Sequence, residues 1–312
     1  MAFLTKYGAF WGMVPQTSGR IFWVSPSTSY VVEGSTHSAS DDNDGLSPER
    51  AFLTLDYAVG KCAANAGDMI VLLPGAHSYS ATVAVDVAGI TITGVARQAP
   101  ETDDRGPGVL RHASSVTSTA DVLTISVANV EVCNLHLIPA AGKAGITLSS
   151  TAAVNANLHH LSFNMTTAAN TATFGIQATA VVDQARISHC HVLASDNQGP
   201  WVRTAAGLTN TVIQNSTVVL SGTTAWDDVI EATTGTDKLV IRDCDFVHSS
   251  AAIMTDIVDV TGNTNDHSVM VMRCMHGVAS DLTEATATSD IVLCNNYIST
   301  IQGGTGGTLS TG

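Results

Sequence analysis

The chain has 312 residues, 45% of them apolar, and a mean hydropathy of +0.21, which is ample material for a core and excludes a disordered chain. Thirteen Lys and Arg stand against 27 Asp and Glu, a formal charge of −14 with no basic run, so a nucleic-acid groove is excluded. No stretch approaches the roughly 20 apolar residues of a membrane helix, and six cysteines without CxxC spacing match neither a disulfide framework nor a zinc site.

In chain order, the first feature is aromatic. Seven of the 16 aromatic residues, Phe3, Tyr7, Phe10, Trp11, Phe22, Trp23 and Tyr30, fall in the first 30 positions. Gly, Pro and polar residues interrupt every apolar run there, so a secretory leader is not expected and the chain is expected to stay in a reducing cytoplasm. Residues 1–35 read as an arm in which Phe3, Tyr7, Phe10, Trp11, Phe22 and Trp23 bind a partner, because aromatic side chains anchor protein interfaces. The competing reading is a strand-rich cap packed on the chain's own body.

Next comes the acidic loop SDDNDG, residues 40–45. Aligned on Gly45, a helix-loop-helix calcium loop would need an acid at Ser40 and a Glu at Ala51, so only a weak surface cation at Asp41, Asp42 and Asp44 is on offer and no metal is expected. Ser47-Pro48 suits a helix start, and Phe52, Leu53, Leu55, Ala58 and Val59 form an apolar series that predicts a capping helix near 48–62. Gly67-Asp68, MIVLLPG and ITITG then predict two strands. Asp44-Gly45, Ser47-Pro48, this helix and the Gly-Asp, apolar-strand, Pro-Gly step resemble the opening of right-handed parallel β-helix proteins of the pectate-lyase-like class. The resemblance implies that fold over about residues 36–300, and it is specific for fold, not for activity.

The remaining chain repeats. VEVCNL (130–135), LHHLSF (158–163), ISHCHV (187–192), IQNSTV (213–218), IRDCDF (241–246) and VMRCMH (271–276) open on apolar residues spaced by 28, 29, 26, 28 and 30, with a weaker last copy IVLCNN at 291–296. The fourth position holds Cys133, Leu161, Cys190, Ser216, Cys244, Cys274 and Cys294, never a charge, and so points inward. The third is mostly polar (His160, His189, Asn215, Asp243, Arg273), as expected where the chain turns a corner. A second register centres on Ile146, Ile176, Val202, Ile230 and Val258. Short alternating runs on a fixed period, with no helical periodicity, predict an all-β solenoid of about eight coils. Successive coils climb by about 4.8 Å, so the thiols become small fillers in an inward ladder.

One position beyond the second register's centre, the outward column reads Thr147, Gln177, Arg203, Glu231, Asp259. Glu231 and Asp259 on adjacent coils, with Arg203 one coil away, form the best catalytic candidate, at a separation retaining glycosidases use; Trp226, Asp227 and Asp228 would supply a sugar platform. A salt-bridged surface ladder explains the same residues more simply. The pairs His159-His160 and His189/His191 could share a metal, but solvated turn residues account for them as well. No phosphate loop, nucleophile elbow or zinc-protease motif is present, and no cofactor is expected. Residues 301–312 read as a flexible tail.

The whole chain resembles virion proteins of tailed bacteriophages that use this architecture. That resemblance implies a parallel homotrimer, assembled in the host cytoplasm and carried in the virion. The expected role is a non-enzymatic structural one: a capsid decoration or head-associated protein fastened to the capsid or other virion proteins by its arm, with no nucleic-acid or membrane partner. The alternative is a small tailspike-like polysaccharide depolymerase or receptor-binding spike acting on host surface glycan.

Overall fold

The computed structural model describes residues 18–95, 114–166, 173–194, 199–220, 226–232, 235–248, 254–261, 263, 269–277, 281–284 and 291–299. Alternating Val, Ile and Thr runs form short strands, and the chain lays them in turn on three parallel sheets. Sheet 1 has ten strands, from Ile21–Val24 to Ile291–Cys294; sheet 2 has nine, from Gly75–Tyr79 to Tyr297–Ser299; sheet 3 has eight, from Val83–Val85 to Asp281–Glu284. The architecture is a right-handed parallel β-helix, the hand that right-twisted strands impose on parallel crossovers. Among the described residues eight coils place a strand on all three sheets, the number expected, and Ile21–Val24 at one end and Ile291–Cys294 with Tyr297–Ser299 at the other add incomplete turns.

The inward columns match the sequence period. Leu158, Ile187, Ile213, Ile241 and Val271 are successive Cα partners on sheet 1, and Ile146, Ile176, Val202, Ile230 and Val258 are partners on sheet 3. All ten side chains are buried in one continuous core. Two copies, however, are displaced by two residues. Leu158 pairs with Val132, not Val130, so Cys133 stands opposite His159 and Leu135 takes the filler position. At the other end Val271 pairs with Leu293 and Met272 with Cys294, which puts Asn296 in the filler column. A strand's period is two, so a shift of two leaves the apolar face unchanged and cannot be seen in the pattern. The polar fillers are satisfied: Ser216 Oγ accepts from Cys190 N at 3.1 Å, and Asn296 Oδ1 accepts from Cys274 N at 3.0 Å.

Sheet 2 is the register that the sequence hid. Its inward column runs Val116, Leu137, Phe163, Val192, Val218 and Phe246, the last four of which end their repeat copies. Only a two-residue corner separates them from sheet 1, so Leu239–Arg242 and Asp245–His248 read as one run. The corner residue adopts the left-handed conformation in every copy: Asn134, His160, His189, Asn215, Asp243, Arg273 and Asn295 all have φ between 49° and 55°. Asn and Asp tolerate this region best, but His and Arg are held there because each amide bonds the next coil. His160 N donates to Ser188 O at 3.1 Å and Asp243 N to Met272 O at 3.1 Å. A second such corner, at Asn129, Asn155, Gln184, Asn210 and Lys238, leads into sheet 1.

The N-terminal end is closed as anticipated, but by different pieces. Pro48–Arg50 is a single 3-10 turn whose flanking Ser47 makes no capping bond. The helix proper, α1 (Leu55–Lys61), starts at Thr54, whose Oγ1 accepts from Tyr57 N, and lays Leu55, Ala58 and Val59 over the core. The expected arm boundary at residue 35 does not hold: Ile21–Val24 is already the first rung, pairing with Met69–Leu72. Phe22 points into the main core and is 3% exposed, while Trp23 points out of the coil and is 2% exposed. Trp23 is covered by the hairpin Ser29–Val32/Ser35–Ser38 through Tyr30 and Val32. Asp68 ties this end together, accepting from Arg20 N at 2.7 Å, Arg20 Nη2 at 2.9 Å and Ala63 N at 2.8 Å. Burial pushes its pKa up, but these bonds outweigh burial and hold it below the usual carboxylate range.

Removing the Ile213 side chain leaves a cavity between Ile187 and Ile241, so Ile213→Ala should lower the unfolding free energy by about 2–5 kcal/mol. Cys244→Ser should cost less, because a hydroxyl can keep the bond that Cys244 Sγ makes to Arg242 O. Denaturant titration of both variants checks this, and a neutral Ile213→Ala would contradict the register.

Candidate functional site on the third sheet

Sheet 3 turns the expected column outward in the expected order. Thr147, Gln177, Arg203, Glu231 and Asp259 are consecutive Cα partners, and Glu284 extends the column by one coil. Beside it runs a second acidic column, Asp228, Asp256 and Asp281, also in register. The backbone therefore stacks three segments of one spacing, DVIE (228–231), DIVD (256–259) and DLTE (281–284), the side chains of the last lying outside the described residues. Only Asp228 of this second column was noted from sequence. The recurring D-x-x-[DE] was the available signal, obscured because the last copy follows at a shorter interval.

The geometry suits fixed negative charge better than acid–base chemistry. Arg203 Nε lies 3.2 Å from Glu231 Oε2, off the line of a hydrogen bond, so charge holds the pair; the guanidinium also sits 5.0 Å over the Phe174 ring. Glycoside hydrolysis needs two carboxyl groups that flank the scissile bond, whereas Glu231 is held by its pair with Arg203. Asp259 Oδ1 is engaged by Thr261 N at 2.7 Å. Trp226 is no sugar platform: it is fully buried in the main core, and the side chain of Asp227 lies outside the described residues.

The remaining sequence candidates are dispersed. Asp41 Oδ1 accepts from Leu53 N and Thr54 N, and its Oδ2 accepts from Thr54 Oγ1, so this carboxylate braces the start of α1. Asp44 accepts from Leu46 N and pairs with Arg50 at 3.3 Å, and Asp42 accepts from Ser40 Oγ at 3.4 Å. Among the described residues no group of three His, Cys, Asp or Glu side chains is arranged to hold a metal ion. Phe3, Tyr7, Phe10 and Trp11 lie outside the described residues, and Phe22 and Trp23, expected as partner anchors, are core. A burial so complete leaves neither ring to offer to a partner.

The outer face of sheet 1 carries side-chain bonds from coil to coil. Arg242 Nε and Nη2 donate to Gln214 Oε1 at 2.9 and 2.6 Å, and at the adjoining corner Arg273 forks onto Asp243 at 2.7 and 2.8 Å. Glu131 accepts from Thr91 Oγ1 at 2.9 Å and Asn157 Nδ2 at 3.2 Å. These outward groups are largely occupied in stitching coils together.

No family model matches the chain, and no curated protein matches it. Solved structures share its fold. The pectin methylesterase of Aspergillus niger superposes with a TM-score of 0.56 at 10% identity, covering 93% of this chain and 88% of that one. Pectin methylesterase PemA of Erwinia chrysanthemi gives 0.55 at 9% identity over 91% and 90%. Geobacillus virus E2 ORF18 is more distant, at 0.38 and 10% identity over 78% and 56%. At these identities the likeness is one of fold.

If the ladder is structural, incubation with bacterial capsule or lipopolysaccharide should release no oligosaccharide detectable by reducing-end assay. Release that Glu231→Gln abolishes would instead assign glycan cleavage to this column.

Proposed function

We propose that the protein is a non-enzymatic structural subunit of a tailed-bacteriophage virion, a capsid decoration or head-associated protein held to the capsid or another virion protein by residues N-terminal to the first rung. The observation that carries this reading is the state of the outward columns. Glu231 is committed to Arg203, Gln214 to Arg242 and Asp243 to Arg273, so the described outer faces are braced rather than poised for chemistry. Phe3, Tyr7, Phe10 and Trp11 supply aromatic anchors in advance of the solenoid. A parallel homotrimer assembled in the host cytoplasm accords with the sequence resemblance. So does a charge of −14, which helps keep a repetitive β protein soluble until assembly.

A second reading, a small depolymerase or receptor-binding spike for host surface glycan, draws on one observation: the doubled acidic column on sheet 3, in a fold shared with pectin methylesterases. It is the weaker of the two because Arg203 holds Glu231 and Trp226 is inaccessible.

The test follows from where the first rung begins. Deleting residues 1–17 stops short of Ile21–Val24 and should leave a folded, thermostable solenoid that no longer attaches to particles. Normal incorporation of the truncated chain into virions would remove the anchoring reading.

A further inference from the structure

One constellation serves none of these roles. At the corner between sheets 1 and 2, three successive coils bring Glu131, His159, His160 and His189 together. His159 Nε2 lies 2.8 Å from Glu131 Oε1, His159 Nδ1 lies 2.8 Å from His160 Nδ1, and the His160 and His189 rings stack at 4.8 Å with an interplanar angle of 2°. We propose that this corner is a proton-operated latch between coils, closed while His159 and His160 share one proton across their Nδ1 atoms and opened when both Nδ1 atoms are protonated.

The tautomers follow from the partners. Glu131 accepts three bonds, from Thr91, Asn157 and His159. The bond from His159 is the largest of the causes that hold its pKa below the usual range, so it is ionised and can only accept. His159 therefore carries a proton on Nε2. In the neutral state its Nδ1 accepts from His160 Nδ1–H, which leaves His160 Nε2 bare. A first added proton enters at that bare Nε2, the shared proton crosses from His160 Nδ1 to His159 Nδ1, and the positive charge comes to rest beside Glu131. The hydrogen bond survives this step. A second added proton can go only to His160 Nδ1, where two N–H groups then face each other and the bond is lost.

The break would be felt in the backbone. His160 and His189 occupy left-handed corners at φ 51° and 52°, and their amides donate to Ser188 O and Gln214 O at 3.1 and 3.2 Å. The other titratable or charged groups on the strands at this corner are Arg186, His136, His191 and the buried thiols Cys133 and Cys190. Of these, His136 Nδ1 is 2.7 Å from Ser162 Oγ. Burial first, then the charges of His159 and His189, lower the pKa of His160. A lowered folded-state pKa means the latch contributes fully above the unfolded value of about 6.5 and is lost as pH falls through the folded value.

The test is histidine NMR on the full chain, with His160→Asn and His189→Asn as companions, since Asn already occupies this corner at Asn134 and Asn215. At pH 7.5 the ¹⁵N shifts should report His159 protonated on Nε2 and His160 bare there. His160 should titrate below 6.5 and shift upward in His189→Asn. Protection of the His160 and His189 amides should fall through that titration beyond the intrinsic change in exchange rate, while His160→Asn keeps its corner protection across the same range. A His160 that titrates at or above the free-histidine value, the opposite tautomer, or corner protection unchanged through the titration would overturn the proposal.

Discussion

The structure depends on one repeated bond, a backbone N–H given by each coil to a carbonyl of its neighbour. In the sheets this is the ordinary parallel ladder. At the corners it persists because a single left-handed residue turns the chain without withdrawing its amide, as at His160, Asn215 and Asp243. An amide left unpaired where coils stack would cost about 1–3 kcal/mol, so the corner geometry is what allows short strands to close into a solenoid at all. Once coils are locked in register, every residue type is repeated vertically and the sequence must tolerate its own stacking.

That constraint sorts the side chains. Inward, aliphatic residues and thiols fill a dry column, and polar fillers are admitted only with a bonded coil neighbour, as Ser216 and Asn296 have. Outward, stacking places like groups about 4.8 Å apart, which is favourable for amides and costly for carboxylates. On sheet 3 stacking sets Glu231 beside Asp259, a cost that Arg203 on the preceding coil offsets. On sheet 1 stacking brings a carboxylate and imidazoles into contact, which makes that corner responsive to protons.

Much of this was legible in the sequence. The period, the inward columns and the order from Thr147 to Asp259 follow from apolar alternation alone, because burial on one face fixes parity. What parity cannot fix is a shift by two, and Val132 and Leu293 displaced the first and last copies on that ground. Sheet 2 was not separated from sheet 1 because the corner, marked by one left-handed residue such as Asp243, breaks the alternation by a single position, from Ile241 to Cys244, and each six-residue copy then reads as one unit. Trp23 and Trp226 were misread for a related reason: an aromatic side chain is marked by its size, but whether it meets solvent or a covering hairpin depends on contacts distant in the chain. The link from Glu131 to His159 crosses 28 residues, and the repeat alignment sets the two in one column; the structural register instead pairs Glu131 with Asn157, so the contact is diagonal, and its chemistry depends on that two-residue shift.

The vertical register can be observed directly by labelling the isoleucine δ1 methyl groups and recording methyl–methyl NOEs. Ile187, Ile213 and Ile241 should form an unbroken chain of cross-peaks, Ile187 to Ile213 and Ile213 to Ile241, with no direct Ile187 to Ile241 peak of comparable strength. Resolved, assigned methyls that lack these contacts would mean that the coils do not stack in this register.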